Sequence, residues 1–311
     1  MKKIKTKTKN IGKKVDREQI VGFLFIVLPI LFYIAFTIVP FISVISNSFF
    51  SMTYTKNSGY IAFQNYETIW ADASARKSIF NSLYYMIAAV VQVALALLLA
   101  VLTENAKYRS GFKAVLFLPY LLNGIAIGYI FRIFFSHSSI LDSVIGIIGV
   151  PKDILPYWLR DQNINNWMLA SVSVWRYLGL SYVIFIGAIT SINPNCLKAS
   201  SLDGAGKIRQ FQYVVWPSIK KVVLINLLLS VVSSLSEFEI PYAVASGGAN
   251  GTGTYMTLIY HMAFNERKIG LASALTVTLL CQLVLMCCAL VALYRLLNNI
   301  GERYKCHVSK V

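Results

Sequence analysis

Gly248-Ala249-Asn250-Gly251-Thr252-Gly253-Thr254 comes close to spelling a phosphate-binding loop. Such loops cradle phosphates with backbone N–H groups, follow a strand, and supply a lysine for the β- and γ-phosphates. This run has no such lysine and no strand before it, so it reads as a flexible loop, and the chain reads as one that does not hydrolyse ATP itself. Glu237 and Glu239 are spaced like a carboxylate pair for acid–base chemistry. A two-residue step on a helix turns about 200°, which points them to opposite sides. His137, His261 and His307 are too scattered for a metal site or for a nucleophile's base. No serine sits in a nucleophile elbow. Catalysis is not expected, and the residues offer no metal or cofactor site.

The elements that carry these residues are membrane spans. At 311 residues, with 57% hydrophobic and 14% charged, the chain is too apolar for an ordinary soluble domain. Long uncharged runs hold the excess. Six runs are long enough for about 30 Å of hydrocarbon at 1.5 Å per residue: 20–46, 82–102, 114–135, 167–192, 222–243 and 269–297. They define an all-α membrane domain over 20–297, between a basic tail at 1–19 and a second tail at 298–311.

The net charge of +16 could serve nucleic acid or an anionic surface. Most of the charges flank spans, which argues against nucleic acid. Of 29 lysines and arginines, 20 fall on the side of the N-terminus when Arg295 is counted with the tail it precedes. Seven fall on the other side, and Arg132 and Arg176 lie within spans. The bias places both termini and the 193–221 loop in the cytoplasm. The first run is too long for a signal-peptide core and lacks a small-residue cleavage site, so 1–19 reads as a disordered cytoplasmic anchor. The five cysteines, Cys196, Cys281, Cys287, Cys288 and Cys306, show no disulfide or metal-ligand spacing and are expected to be reduced.

The spans carry polar residues that plain anchors lack. A charge in hydrocarbon costs about 2.5–3.5 kcal/mol, so such residues face a bundle interior or an aqueous path, or snorkel near an end, as Arg132 and Glu239 could. Arg176 and Glu237 are candidates for an inter-helix ion pair. Pro29 and Pro40 are expected to kink the first span. Asn123, Glu237, Tyr242 and Gln282 lie in or beside spans and are substrate-path candidates, the alternative being that they hydrogen-bond helices together. Tyr84, Tyr85, Tyr157 and Trp158 read as interfacial belt residues.

Between the fourth and fifth runs lies Ile192 to Ile219, polar and basic. Asn193 followed by Pro194 reads as an N-cap and the first-turn proline of a short helix. Gly204 supplies a left-handed stop, and Gly206 loosens the chain again. A second amphipathic piece, about 207–215, leads to Trp216-Pro217. A short helix with small side chains, outside the membrane, is shaped to fit another protein's groove.

This segment resembles the EAA loop of the membrane subunits of bacterial ABC importers, in particular those for carbohydrates. The family writes Glu-Ala-Ala, two residues, Asp-Gly-Ala, about ten residues, Leu-Pro. This chain has Lys198-Ala199-Ser200, Asp203-Gly204-Ala205 and Trp216-Pro217, with a lysine at the acidic position. The third run's F-L-P-Y-L-L-N-G, the fourth's V-W-R-Y-L-G and F-I-G-A-I-T-S-I-N-P, and the later S-G-G-A-N-G-T-G-T-Y-M-T and G-L-A-S-A-L resemble the same pattern in the same order, over about 20–297.

The resemblance implies a type I ABC importer transmembrane domain with six transmembrane helices in a bacterial plasma membrane. It implies that Lys198, Ala199, Ser200, Asp203, Gly204, Ala205 and Pro217, within 193–219, form the loop that couples to the ATPase. It implies as partners a second, similar permease chain, an ATP-binding subunit dimer that holds ATP and Mg, and an extracytoplasmic solute-binding protein reached by the glycine-rich loop. Apart from the resemblance, the residues leave open a transporter or channel working alone, and an ABC permease for a non-sugar solute such as glycerol phosphate. An intramembrane enzyme and a basic scaffold are poorer fits to the polar spans.

Overall fold

The computed structural model describes residues 17–54, 56–104, 106, 108–151, 154–245 and 247–308, without the side chains of 17–20, 57–58 and 299–308. The expected tail at 1–19 falls largely outside these residues, whereas most of the expected tail at 298–311 continues the last helix; the side chains of Cys306 and His307 are not described. The chain divides after Ser46 into two units. The first holds α1 (Arg17–Tyr33), a five-residue π-turn over Ile34–Ile38, and most of α2 (Val39–Asn47). Pro40 has no N–H to donate. The widened turn before it, where the Val39 N–H donates to the Ile34 carbonyl, takes up the mismatch and the helical run continues. The expected kink is therefore a π-bulge.

The second unit opens on a hairpin that the all-α expectation missed. Strands β1 (Phe50–Thr53) and β2 (Lys56–Tyr60) pair antiparallel, with Phe50 opposite Tyr60 and a register shift between Phe50 and Met52. Asn65 fixes its base by donating to the carbonyls of Ser48 and Phe50 at 2.8 and 3.1 Å. Then come α3 (Gln64–Ala71), α4 (Ala73–Thr103), α5 (Arg109–Leu121), α6 (Gly124–Phe134), α7 (Ile140–Ile147) and α8 (Asn165–Thr190). After them follow α9 (Pro194–Leu202), α10 (Lys207–Gln210), α11 (Trp216–Leu235), α12 (Glu239–Val244), α13 (Tyr255–Tyr260) and α14 (Ile269–Val308). A π-turn over Phe211–Val215 joins α10 to α11, so the amphipathic piece and the fifth span are one continuous run.

Among the described residues, five runs are long and apolar enough to cross a membrane: Val21–Asn47, Ala73–Thr103, Asn165–Thr190, Lys207–Val244 and Ile269–Asn298. The expected third span is instead two helices, α5 and α6, bent by 95°; counted as one span they make a sixth.

The core lies where α4, α5, α8 and α11 meet. Two devices hold it. The Gln92 amide of α4 donates to Ser181 Oγ of α8 at 2.7 Å and to the Tyr177 carbonyl at 2.9 Å, and Asn226 of α11 donates to the same Ser181 Oγ at 2.9 Å. All three side chains are buried, so in lipid this triad fixes the rotation of three helices at once. The second device is a glycine: a Cβ on Gly179 of α8 would lie 1.9 Å from the Leu116 carbonyl oxygen of α5. Only a residue without a side chain permits that crossing. Gly179→Ala should destabilise the purified chain by about 1–3 kcal/mol in thermal melts followed by helical circular dichroism. Gly187→Ala, with open space at its Cβ position, should melt with the wild type.

Candidate functional site

Two helix breaks lie against one arginine. Asn123 ends the first break: its side chain accepts from the N–H groups of Ile125 and Ala126 at 3.0 and 3.2 Å and so starts α6. The second break is Ser236 to Phe238, between α11 and α12. There the Glu237 carboxylate accepts from the Ile240 N–H at 3.3 Å, and Pro241 falls in the first turn of α12, where its missing N–H costs nothing. Arg176 of α8 reaches both: Nη1 binds Glu239 Oε2 at 2.5 Å, and Nη2 lies 3.5 Å from the Leu122 carbonyl.

Gly124 makes the pair possible. A Cβ there would fall 1.9 Å from Glu239 Oε2 and 2.1 Å from Arg176 Nη1. One turn on, Gly128 sits where a Cβ would lie 2.5 Å from the Ala243 Cβ, so α6 and α12 cross in close contact. Arg176 thus pairs with Glu239 and not with Glu237, the partner the sequence suggests. The chain is not helical at 236–238, so the 200° step does not apply. Glu239 turns onto the guanidinium and does not snorkel.

Glu237 instead lines a cavity of about 130 Å³ with Tyr85, Gln92, Ser173, Tyr177 and Asn226. That is room for several waters. Glu237 is buried, and the Tyr85 hydroxyl and Ser173 Oγ have no hydrogen-bond partner among the described residues. Buried hydroxyls are normally satisfied. The rest of the lining is largely apolar, including Ala88, Val174, Leu180, Ile184 and Leu229, so these polar groups are isolated points on an apolar wall. Tyr85, expected at the interface belt, is 1% exposed and belongs to the cavity. Alternation along α4 could not show this, because the sequence does not say which face of a span meets the interior. Trp158 is half-buried, and its Nε1 donates to Asp142 at 2.7 Å.

The other path candidates lie elsewhere. Asn123 is the cap described above. Gln282 of α14 accepts from the Tyr255 hydroxyl at 2.6 Å and joins α13 to α14. Tyr242 stacks on Phe238 with ring centres 4.8 Å apart, in a separate cleft. The glycine-rich loop is not loose. Asn81 donates to the carbonyls of Gly251 and Gly253 at 2.7 and 2.8 Å, and Asn165 donates to that of Asn250 at 3.0 Å.

At the far end of α8 the chain turns through Ser191–Asn193 into α9. Asn193 caps it, accepting from the Asn195 N–H at 2.9 Å. Gly204 ends it with φ +77°. Lys198, Ala199 and Asp203 are exposed, Ser200 and Ala205 half-buried, and Pro217 lies at the start of α11. Apolar side chains stand in the open: Leu202 is 88% exposed and Ile208 75%. Gln210 binds the two pieces together, its amide donating to the Leu197 carbonyl and Ser200 Oγ at 2.9 Å each. Cys196, Cys281, Cys287 and Cys288 are free thiols.

Residues 92–299, about two-thirds of the chain, match the family described as binding-protein-dependent transport system inner membrane component. The chain belongs to that family. The resemblance read from Lys198 to Pro217 and the flanking segments thus holds. Similar proteins include the probable ABC transporter permease protein YesP of Bacillus subtilis, 25% identical over 85% of this chain and 87% of that one. They also include the probable starch degradation products transport system permease protein AmyD of Thermoanaerobacterium thermosulfurigenes, 29% identical over 81% of this chain and 86% of that one. Among solved structures, a bacterial ABC transporter that imports the acidic polysaccharide alginate has the same fold. Its TM-score is 0.75 at 16% identity, with 89% of this chain and 96% of that chain covered. The family member described here is a mostly helical, multi-pass membrane protein with the type I ABC permease fold.

A double-mutant cycle on the purified permease tests the ion pair. Arg176→Met and Glu239→Gln should couple by about 1–3 kcal/mol in stability. Arg176→Met with Glu237→Gln should couple less.

Proposed function

We propose that this chain is one of two permease subunits of a bacterial ABC importer for a carbohydrate, set in the plasma membrane with both termini in the cytoplasm. The observation that carries the reading is α9. It is short and exposed, with apolar side chains near it in the open, stopped by Gly204 and stapled by Gln210 to the run that becomes α11. Lys198, Ala199, Ser200, Asp203, Gly204, Ala205 and Pro217 form the surface for an ATP-binding subunit, one of a dimer that carries ATP and Mg. Lys198 stands where the family has an acid, so the ATPase groove offers this helix an acidic or neutral partner at that point.

The carbohydrate reading is supported by the names of the relatives and by the cavity. A sugar presents hydroxyls in all directions, and the polar points on the cavity wall, a carboxylate, two amides and several hydroxyls, can meet some of them. An extracytoplasmic binding protein delivers the substrate, as one does in the alginate importer solved with its pentasaccharide-bound periplasmic protein. A second permease chain closes the path, and lipid covers the apolar outer faces of α4 and α14. Nucleotide-driven closure of the ATPase moves α9 as a rigid body with α8 and α11. The difference in binding energy between the two nucleotide states then shifts the bundle between two arrangements.

Co-purification with an ATPase subunit tests the central contact. Gly204→Val, which forces a β-branched residue into a left-handed position, should cut uptake at least tenfold while membrane insertion stays normal. Gln210→Ala should act in the same direction. Unchanged uptake in both variants contradicts the docking role. Lys198→Glu should change the yield of the complex with the ATPase, and an identical yield would show that no acid faces it.

A further inference from the structure

Outside the cavity lies a larger concavity. It measures about 450 Å³ and is lined by Tyr129 and Arg132 of α6, Tyr242 of α12, Tyr260 of α13, and His261 and Asn265 of the π-turn that follows. Its aromatic wall is continuous. Phe238 stacks on Tyr242 at 4.8 Å, Tyr260 meets Tyr242 edge to face at 5.4 Å, and Phe264 packs on Tyr260 at 5.0 Å. Tyr129 is 53% exposed and Tyr260 36%, so ring surface stays open to the cleft. No carboxylate among the described residues forms an ion pair with Arg132. A charged guanidinium near the end of an apolar helix, facing a polar concavity, is placed to serve a ligand.

We propose that this cleft is a second saccharide subsite, where a pyranose unit of the transported oligosaccharide rests before it enters the cavity. The proposal rests on the carbohydrate reading and adds a site to it. Pyranose rings have apolar C–H faces that pack on tyrosine, and hydroxyls that need donors and acceptors at the rim. Tyr129, Tyr242 and Tyr260 supply the first requirement; Arg132, His261 and Asn265 supply the second. The two subsites are joined through the α11–α12 break. Phe238, which stacks on Tyr242, stands between Glu237 on the cavity wall and Glu239 of the ion pair. A change in that break alters both sites together, so a sugar stacked on Tyr242 is coupled to the state of the Arg176–Glu239 contact.

The test uses the full importer, with its second permease and ATPase, in lipid nanodiscs without nucleotide. The probe is whichever of labelled maltotriose, xylotriose and lactose the wild type accumulates, and equilibrium dialysis reads the binding. Two classes of site are expected. Tyr242→Ala and Tyr260→Ala should each weaken one class at least tenfold and Arg132→Gln several-fold, with Tyr242→Phe retaining it. Glu237→Gln should weaken the other class. A single class of site, lost in Glu237→Gln and unmoved by Tyr242→Ala, Tyr260→Ala and Arg132→Gln in assembled complexes, overturns the second subsite and leaves the carbohydrate reading standing. Accumulation of none of the three sugars by an importer with active ATPase overturns the carbohydrate reading, and the subsite with it.

Discussion

The salt bridge between Arg176 and Glu239 is the constraint around which the rest of the bundle is arranged. Arg176 is a buried charge and Glu239, half-exposed, is the carboxylate that meets it; left unpaired, a buried charge costs several kcal/mol. The contact demands that Gly124 have no side chain. It also demands that α6 approach α12 to within the Gly128–Ala243 crossing, and that both helices begin at breaks beside the guanidinium. Asn123 and Pro241 start the two helices locally, and the pair ties the two breaks to each other. The second break also places Glu237 on the wall of the cavity behind them.

The same arginine stands on α8, the rod that leads to the short helix α9. About 14 residues separate Arg176 from Thr190 at the end of α8, or roughly 20 Å at 1.5 Å per residue. Along that length the Gln92–Ser181–Asn226 triad fixes α8 to α4 and α11, and Gly179 seats α5 against it. A displacement at α9 therefore has a stiff route to the two breaks. At the α9 end the Gln210 staple and the Gly204 stop keep the short helix from moving independently of α11. In the proposed importer, this is the physical link between nucleotide and path.

Much of this was legible in the residues. Five of the six expected spans followed from hydrophobic length, and the Asn193-Pro194 start and Gly204 stop of α9 followed from capping chemistry and left-handed φ. The family pattern was readable from Asp203-Gly204-Ala205 and its neighbours. What escaped has a common cause. The 95° bend at Leu122–Asn123 and the non-helical Ser236–Phe238 are tied together by an arginine from another helix, and local periodicity carries no trace of it. Hence Arg176 was assigned the wrong glutamate, Tyr85 was read as a belt residue, and the glycine-rich loop was read as loose although Asn81 and Asn165 tie it down. The hairpin at Phe50–Tyr60 is short, and its strands lie in a polar loop whose pairing only the Asn65 contacts reveal.

The most direct measurement of the central claim is a distance across the hinged pair. Spin labels at Ile130 of α6 and Ile87 of α4, both exposed, would be followed by pulsed electron resonance in the assembled importer, nucleotide-free and vanadate-trapped. If the Arg176–Glu239 pair holds the breaks and α9 drives them, the distance shifts between the two states, and Glu239→Gln broadens it in both. One unchanged distance in both states, with Glu239→Gln superimposable on the wild type, would contradict the account.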